Sequence, residues 1–192
     1  MDVSPQAAHQ SLAEIKQVMH DTRRAVAARG TDLILMLWGV IWFVAFSGSQ
    51  FWPRQSSWIW TVGDVLGVLV TIAIATSFGR SAPVRIPGAR QLGWRIFAFW
   101  CGLSAYSSLW LFILPPTSTR QVTAFITTVV MFAYVVLGLW FESWLLAMLG
   151  AGVTAMLMVG YLWLPEYFYL WMAVCGGGAL FASGLYIRLR WR

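Results

Sequence analysis

Long apolar runs separated by short polar links dominate the pattern of this chain. Each of six runs is close to the ~20 residues that an α-helix needs to cross the hydrocarbon core of a bilayer. Because backbone groups find no water partners in lipid, each run is predicted to be a helix, and the alternating pattern of a transmembrane barrel is absent. The runs cover Leu33–Trp52, Trp58–Gly79, Trp94–Leu114, Arg120–Phe141, Ser143–Leu164 and Phe168–Ile187. The pattern predicts an all-α membrane protein, with a six-helix transmembrane bundle in residues 31–192 and a separate segment in residues 1–30.

Basic residues divide unevenly between the two sides of this predicted bundle. Eleven of the 13 Lys and Arg residues fall on the side of the N-terminus, and two, Arg54 and Arg120, fall on the other. Loops on the cytoplasmic side of a membrane carry an excess of Lys and Arg. The division predicts an even number of spans with both termini in the cytoplasm. The eleven residues are Lys16, Arg23, Arg24, Arg29, Arg80, Arg85, Arg90, Arg95, Arg188, Arg190 and Arg192.

The composition agrees with a membrane location. Only 10% of the 192 residues are charged, against about a quarter in soluble domains. The net charge of +6 comes largely from arginines that flank apolar runs, so it indicates orientation in the membrane rather than direct binding of nucleic acid. The 13 Trp residues favour side chains at membrane–water interfaces.

Residues for catalysis or metal binding do not cluster in the predicted spans. Both histidines, His9 and His20, precede the first span, so haem ligation and a histidine-dependent intramembrane protease are not predicted. Cys101 and Cys175 stand apart, without a CxxC motif. HExxH, Walker A and GxGxxG motifs are absent as well. We therefore expect a protein that is not an enzyme and that has no metal or other cofactor.

Two carboxylates are candidates for an ion or ligand site. Asp64 is the one acidic residue well inside a predicted span, about 9 Å from the outer end of its helix at about 1.5 Å per residue. Charged side chains inside membranes are commonly functional. Alternatively, Asp64 belongs to the first turns of a helix that begins near Thr61, where the helix dipole favours a carboxylate. Glu166 lies in the aromatic turn Trp163–Trp171, which either cages a cation or forms part of the interfacial aromatic belt.

Arginines recur at every fifth position in and around the second predicted link. They are Arg80, Arg85, Arg90 and Arg95. Such a series interacts with anionic lipid headgroups or an acidic partner, or it only sets the orientation of the chain.

Small residues recur at every fourth position along the fifth predicted span. They are Ser143, Ala147, Ala151 and Ala155. Small residues allow helix backbones to approach closely in lipid. The spacing predicts close packing, either inside the bundle or against a second copy or another membrane subunit.

The segment before the first span has the pattern of an amphipathic helix over residues 9–28. Leu12, Ile15 and Met19 share one face at spacings of three and four, while Glu14 and Asp21 fall on the polar face. The apolar face lies on the inner membrane surface, packs on the protein's own cytoplasmic side, or docks another protein. The mixed charge of the polar face favours a protein contact, because membrane-surface helices tend to be more uniformly basic.

The beginning of the chain resembles a group of uncharacterised bacterial multi-pass membrane proteins. The resemblance rests on Glu14-Ile15-x3-Met19-x3-Arg23-Arg24, then Gly30, then Leu37-Trp38-Gly39-x3-Phe43-x-Ala45-Phe46. Proteins of that group have an amphipathic N-terminal helix followed by hydrophobic spans, and their genes often lie beside that of a small winged-helix regulator. The resemblance implies a bacterial inner membrane and a regulatory partner, and it assigns no activity or site residue.

Two functions agree with these features. The first is a non-enzymatic membrane component that senses, scaffolds or regulates, and that docks a cytoplasmic protein or a second copy through Leu12, Ile15 and Met19. The second is a small transporter, or the substrate-binding membrane subunit of one, since six helices in 192 residues match that architecture. A pocket that is lined by several spans and reaches Asp64 favours transport, whereas a closed bundle favours regulation.

Overall fold

A computed structural model describes residues 30–81 and 89–191, and within these ranges every regular element is helical. The first five long elements are α1 (Thr31–Phe51), α2 (Ser56–Ser81), α3 (Ala89–Ile113), α4 (Thr119–Trp140) and α5 (Trp144–Trp163). The sixth, α6, begins with Phe168–Met172, continues through a π-helical turn at Ala173–Gly177 and ends with Gly178–Trp191. A 3-10 turn at Pro53–Gln55 joins α1 to α2.

All six long elements are long and apolar enough to cross a membrane, which confirms the six predicted spans. Each helix boundary lies within five residues of its predicted position. The chain is therefore a multi-pass membrane protein. The amphipathic helix predicted before Gly30 lies outside the described residues.

Consecutive helices run in opposite directions, so their ends gather at two levels. Beside the α1–α2 turn, the end of α1 contacts the start of α2 at Gly48 and Ile59. Beside the α4–α5 turn, the end of α4 contacts the start of α5 at Gly138 and Ala147. We call one level the proline end, because it contains Pro53, Pro115 and Pro165. The opposite level, which contains Thr31, Trp144 and Arg190, is the basic end.

The core lies among α1, α4, α5 and α6. In the main contacts, α1 packs on α2 and α6, α5 packs on α4 and α6, and α3 packs on α4. Phe46, Met131, Leu157 and Phe168 fill the interior, and none of them is more than 1% exposed. Because lipid tails are as apolar as these side chains, the packing is stabilised by close van der Waals contact rather than by removal of apolar surface from water.

The helices α2 and α3 form the periphery of the bundle. Only 6% of the residues in the most apolar stretch of α2 are buried, and none in the most apolar stretch of α3. In the corresponding stretches of α1 and α6, 39% of the residues are buried. Wide faces of α2 and α3 therefore point away from the other described helices.

Glycines of α6 let it pack closely on α1. A β-carbon on Gly176 would come within 3.3 Å of the Trp42 ring, and one on Gly184 within 2.6 Å of the Asp32 carbonyl oxygen. The π-helical turn at Ala173–Gly177 coincides with this contact. A π turn shifts the register of the residues that follow it, and here it occurs where α6 meets α1.

Side-chain and backbone caps define both ends of α4. At its start, the Ser118 hydroxyl accepts a hydrogen bond from the Gln121 backbone N–H at 3.2 Å. In return, the Gln121 side-chain oxygen accepts from the Thr117 backbone N–H at 2.9 Å. At its end, the Ser143 N–H donates to the Gly138 carbonyl at 2.7 Å, while Glu142 adopts a left-handed φ of 52°. This is the Schellman arrangement, which satisfies carbonyls at a helix terminus.

Candidate functional site

Asp64 lies close to the middle of a membrane span. The candidate span Pro53–Ser77 extends eleven residues before it and thirteen after it. The helix α2 begins at Ser56, so Asp64 is eight residues, or about 12 Å, from the helix start. The alternative of a helix beginning near Thr61 is therefore wrong, and the dipole of a first turn does not stabilise this carboxylate.

The Asp64 carboxylate faces outward from the chain. Its side chain is exposed. In the part of the chain that the structure describes, no hydrogen bond or ion pair joins it to another residue. The neighbouring Gly63 and Gly67 face α1 instead, where β-carbons on them would touch Ile41. Asp64 thus lies on a flank of α2, beside the α1 contact rather than within it.

Glu166 is exposed in the turn between α5 and α6, at the proline end. Its backbone carbonyl accepts a hydrogen bond of 2.9 Å from the Gln50 side-chain amide. This contact ties the end of α1 to the α5–α6 turn. The two carboxylates that the sequence singled out are not brought together, because Asp64 lies near mid-span and Glu166 lies at a helix end.

A cation of the chain itself lies over an aromatic ring at the proline end. The Arg120 guanidinium is 4.9 Å from the centre of the Tyr161 ring, a geometry that favours cation–π attraction. Tyr161 in turn packs edge-on against Phe168 at 6.0 Å. Trp163 and Tyr167 are exposed at the same end, as in an interfacial aromatic belt. Arg120 connects α4, α5 and α6 through these rings.

Buried hydroxyls connect α1 to α2 near the proline end. The Ser49 and Ser56 hydroxyls are 2.8 Å apart, and the Trp60 indole N–H donates to Ser49 at 3.1 Å. Ser49 also donates to the Ala45 carbonyl at 2.8 Å. These polar groups satisfy one another inside the bundle, and the network explains why Ser49 and Ser56 are buried.

An apolar groove of about 360 Å³ lies between α3 and α4. Tyr106, Trp110, Phe125 and Phe132 form its aromatic walls. The Ser107 hydroxyl, which also lines the groove, donates to its own helix at the Leu103 carbonyl. The groove is therefore apolar in character, and Asp64 does not line it.

Of the four arginines in the series, the structure describes the side chain of Arg95 only. Arg95 is exposed near the basic end of α3. The side chains of Arg80 and Arg90, and all of Arg85, lie outside the described part of the chain. The lipid or partner contact predicted for this series stays a prediction.

The four small residues of α5 do not lie on one buried face. Ala147 is buried against Gly138 of α4, and Ser143 lies beside it at the α4–α5 turn. Ala151 and Ala155 are exposed. Packing inside the bundle therefore accounts for Ala147, while Ala151 and Ala155 face away from the other helices that the structure describes.

Asp32 is a buried carboxylate that the sequence pattern did not single out. It lies in the first turn of α1 with none of its surface exposed, and its backbone packs against Gly184 of α6. A carboxylate in a first turn is favoured by the helix dipole. The position at the start of an apolar run was the available signal, but burial depended on the approach of α6.

The described helices define a multi-pass membrane protein with a filled core and two exposed peripheral spans. In residues 30–81 and 89–191 no three His, Cys, Asp or Glu side chains come together as metal ligands would. Comparison with known proteins finds no matching family model, no matching curated protein and no matching solved structure.

Proposed function

We propose that this chain is a non-enzymatic component of a bacterial inner membrane that senses, scaffolds or regulates. Both termini lie in the cytoplasm in this proposal, and the amphipathic segment before α1 docks a partner through Leu12, Ile15 and Met19. The partner is a cytoplasmic protein or a second copy of the chain. Lipid surrounds the spans, and no nucleic acid binds directly.

The filled interior is the observation that supports this proposal over transport. Side chains at or within two residues of the midpoints of the four core helices are at most 5% exposed: Trp42, Met131, Val153 and Leu180. A transporter holds its substrate near the bilayer midplane, between the repeats or bundles that rock against each other. Aromatic and aliphatic side chains occupy that position here, which suits a scaffold that holds its N-terminal segment at the membrane surface.

The pattern of the N-terminal segment supports docking. An amphipathic helix in a protein owes most of its stability to packing of its apolar face, so that face needs a surface. Burying three side chains of this size contributes on the order of 5 kcal/mol before the cost of ordering the segment. That contribution is sufficient for a specific contact.

A pair of triple variants of the full chain tests the proposal. The apolar-face variant has Ser in place of Leu12, Ile15 and Met19. The polar-face variant has Ser in place of three residues on the opposite helical face: Glu14, Gln17 and Asp21. After gentle solubilisation, the apolar-face variant should no longer co-purify with a partner protein, or should form a complex of lower mass by light scattering. The polar-face variant should keep the co-purifying protein and the mass of the original complex. Membrane insertion should be unchanged in both variants.

The contrary result identifies a lipid anchor. In that case the apolar-face variant keeps its mass and its bound proteins in detergent. Only the binding of the segment to liposomes is then lost, and partner docking through this face is excluded.

A further inference from the structure

We propose that two copies of this chain pair in the membrane along the exposed flank of α2, with the two Asp64 carboxyls meeting at the centre of the seam. The proposal is independent of the docking of the N-terminal segment. It follows from the depth of Asp64, the spacing of its neighbours and the chemistry of the side chains along the flank.

The flank of α2 that includes Asp64 has a regular spacing. Six residues lie along this flank, separated by intervals of four, three, four, three and four positions. Five of the six are exposed. We call them the α2 seam: Ser57, Thr61, Asp64, Val68, Thr71 and Ala75. An average interval of 3.5 residues keeps one line of residues facing a parallel partner helix in a left-handed pair. Small and hydroxyl side chains are also those that let helices in lipid approach closely.

The α2 seam differs from the contact that α2 makes with α1. That contact uses Gly63 and Gly67, which meet Ile41. Of the seam residues, Thr71 alone has a partner in α1, accepting a hydrogen bond of 3.1 Å from the Trp38 indole N–H. The remaining five leave a second face of α2 open along most of its length.

Asp64 makes this open face unfavourable against lipid. A carboxylate near the centre of a span has no partner in hydrocarbon, and the described residues supply none to Asp64. The sequence has no Lys or Arg between Arg54 and Arg80, or between Arg95 and Arg120, or between Arg120 and Arg188. Within the described spans, therefore, no basic residue originates at the depth of Asp64 near mid-span.

A second copy supplies a complement that residues 30–81 and 89–191 do not offer. Two copies in one membrane have the same orientation, so a two-fold axis along the membrane normal brings equal depths together. Asp64 then faces Asp64 of the second copy, with Thr61 one turn away. A protonated carboxyl both donates and accepts a hydrogen bond, so two protonated carboxyls bond to each other reciprocally and give a neutral, self-complementary contact without a cation. A single polar position in an otherwise small and apolar seam also sets the register of the two helices.

Cysteine cross-linking in the full chain tests the geometry. Cys101 and Cys175 are first replaced by Ala, so that each variant carries one thiol. Under mild oxidation in membranes, the seam variants Thr61→Cys and Val68→Cys should form covalent dimers. The control variants Val62→Cys and Leu66→Cys replace residues that are also exposed but lie off the seam, and they should form few covalent dimers. Equal cross-linking at all four positions, or none at Thr61 and Val68, overturns the proposal.

Substitutions of Asp64 test the chemistry. Asp64→Leu should weaken dimerisation in detergent or nanodiscs about tenfold, the factor for ~1.4 kcal/mol, which is in the range of interhelical hydrogen bonds. Asp64→Asn keeps a donor and an acceptor and should retain the dimer. Leu is compatible with lipid, so the Leu variant should still fold, and a melting curve equal to that of the wild-type monomer checks this. A wild-type chain that is monomeric at all concentrations, or a dimer that Asp64→Leu does not weaken, excludes the seam.

Discussion

Gly39 and Gly177 lie directly against each other where α1 crosses α6. A β-carbon built on either glycine would come to 2.9 Å from the carbonyl oxygen of the other. Such a carbon on Gly39 would also lie 2.6 Å from the Phe181 backbone nitrogen. Backbone atoms cannot turn aside as the end of a flexible side chain can, so only glycine fits this crossing.

Gly39→Ala should therefore lower the stability of the bundle. The added methyl forces α1 and α6 apart, and we expect a loss of about 1–3 kcal/mol in the free energy of unfolding, as for an overpacked core. Thermal unfolding in a mild detergent measures the change. Gly152→Ala on α5 is the matched control, because nothing lies within 4 Å of its β-carbon position, and its stability should be equal or slightly higher. Equal melting of the two variants would contradict the close crossing.

Glu142 offers a stabilising substitution. It adopts φ 52° between α4 and α5, a conformation that disfavours residues with a β-carbon by about 1–2 kcal/mol. Glu142→Gly should raise the melting temperature, and Glu142→Val should lower it because a β-branched residue is poorly compatible with this backbone. The opposite order of the two variants would show that the turn does not adopt this conformation in the membrane.

The hydroxyl network between α1 and α2 should be sensitive to Ser49. Ser49→Ala leaves the Ser56 hydroxyl and the Trp60 N–H without their shared partner, and unmet buried groups cost about 1–3 kcal/mol. Ser108→Ala is the control, since the Ser108 hydroxyl is exposed and bonds only to its own helix at Ser104. We expect a clear loss of thermal stability for the first variant and almost none for the second.

Orientation in the membrane is testable with single cysteines. The excess of Arg at the basic end predicts that this end faces the cytoplasm. In a chain whose two native cysteines are replaced, Gln55→Cys and Thr117→Cys should react with an impermeant maleimide on intact cells. Arg190→Cys should react only after the membrane is permeabilised. Labelling of position 190 in intact cells would reverse the proposed orientation.

The number of spans and their approximate limits can be predicted from the sequence alone. Each span depends on one contiguous run, because backbone groups in lipid must pair within their own helix and about 20 apolar residues suffice. Local signals also predicted some ends well, as at the Pro53 and Pro165 turns. None of this requires knowledge of which helices are neighbours.

The direction in which each side chain points depends instead on how the helices pack against one another. Four residues advance a helix by about 400°, so a series at every fourth position drifts by about 40° per step around it. Ala147 is accordingly buried, while Ala151 and Ala155 are exposed. The buried face of α5 instead consists of residues three or four positions apart: Ala147, Gly150, Val153, Leu157 and Gly160. Asp32 is likewise buried because α6 approaches it, and Asp64 is exposed because α1 packs on the adjacent flank of α2. All faces of an apolar helix are nearly equivalent to lipid, so the choice between them depends on the shape of the neighbouring helices.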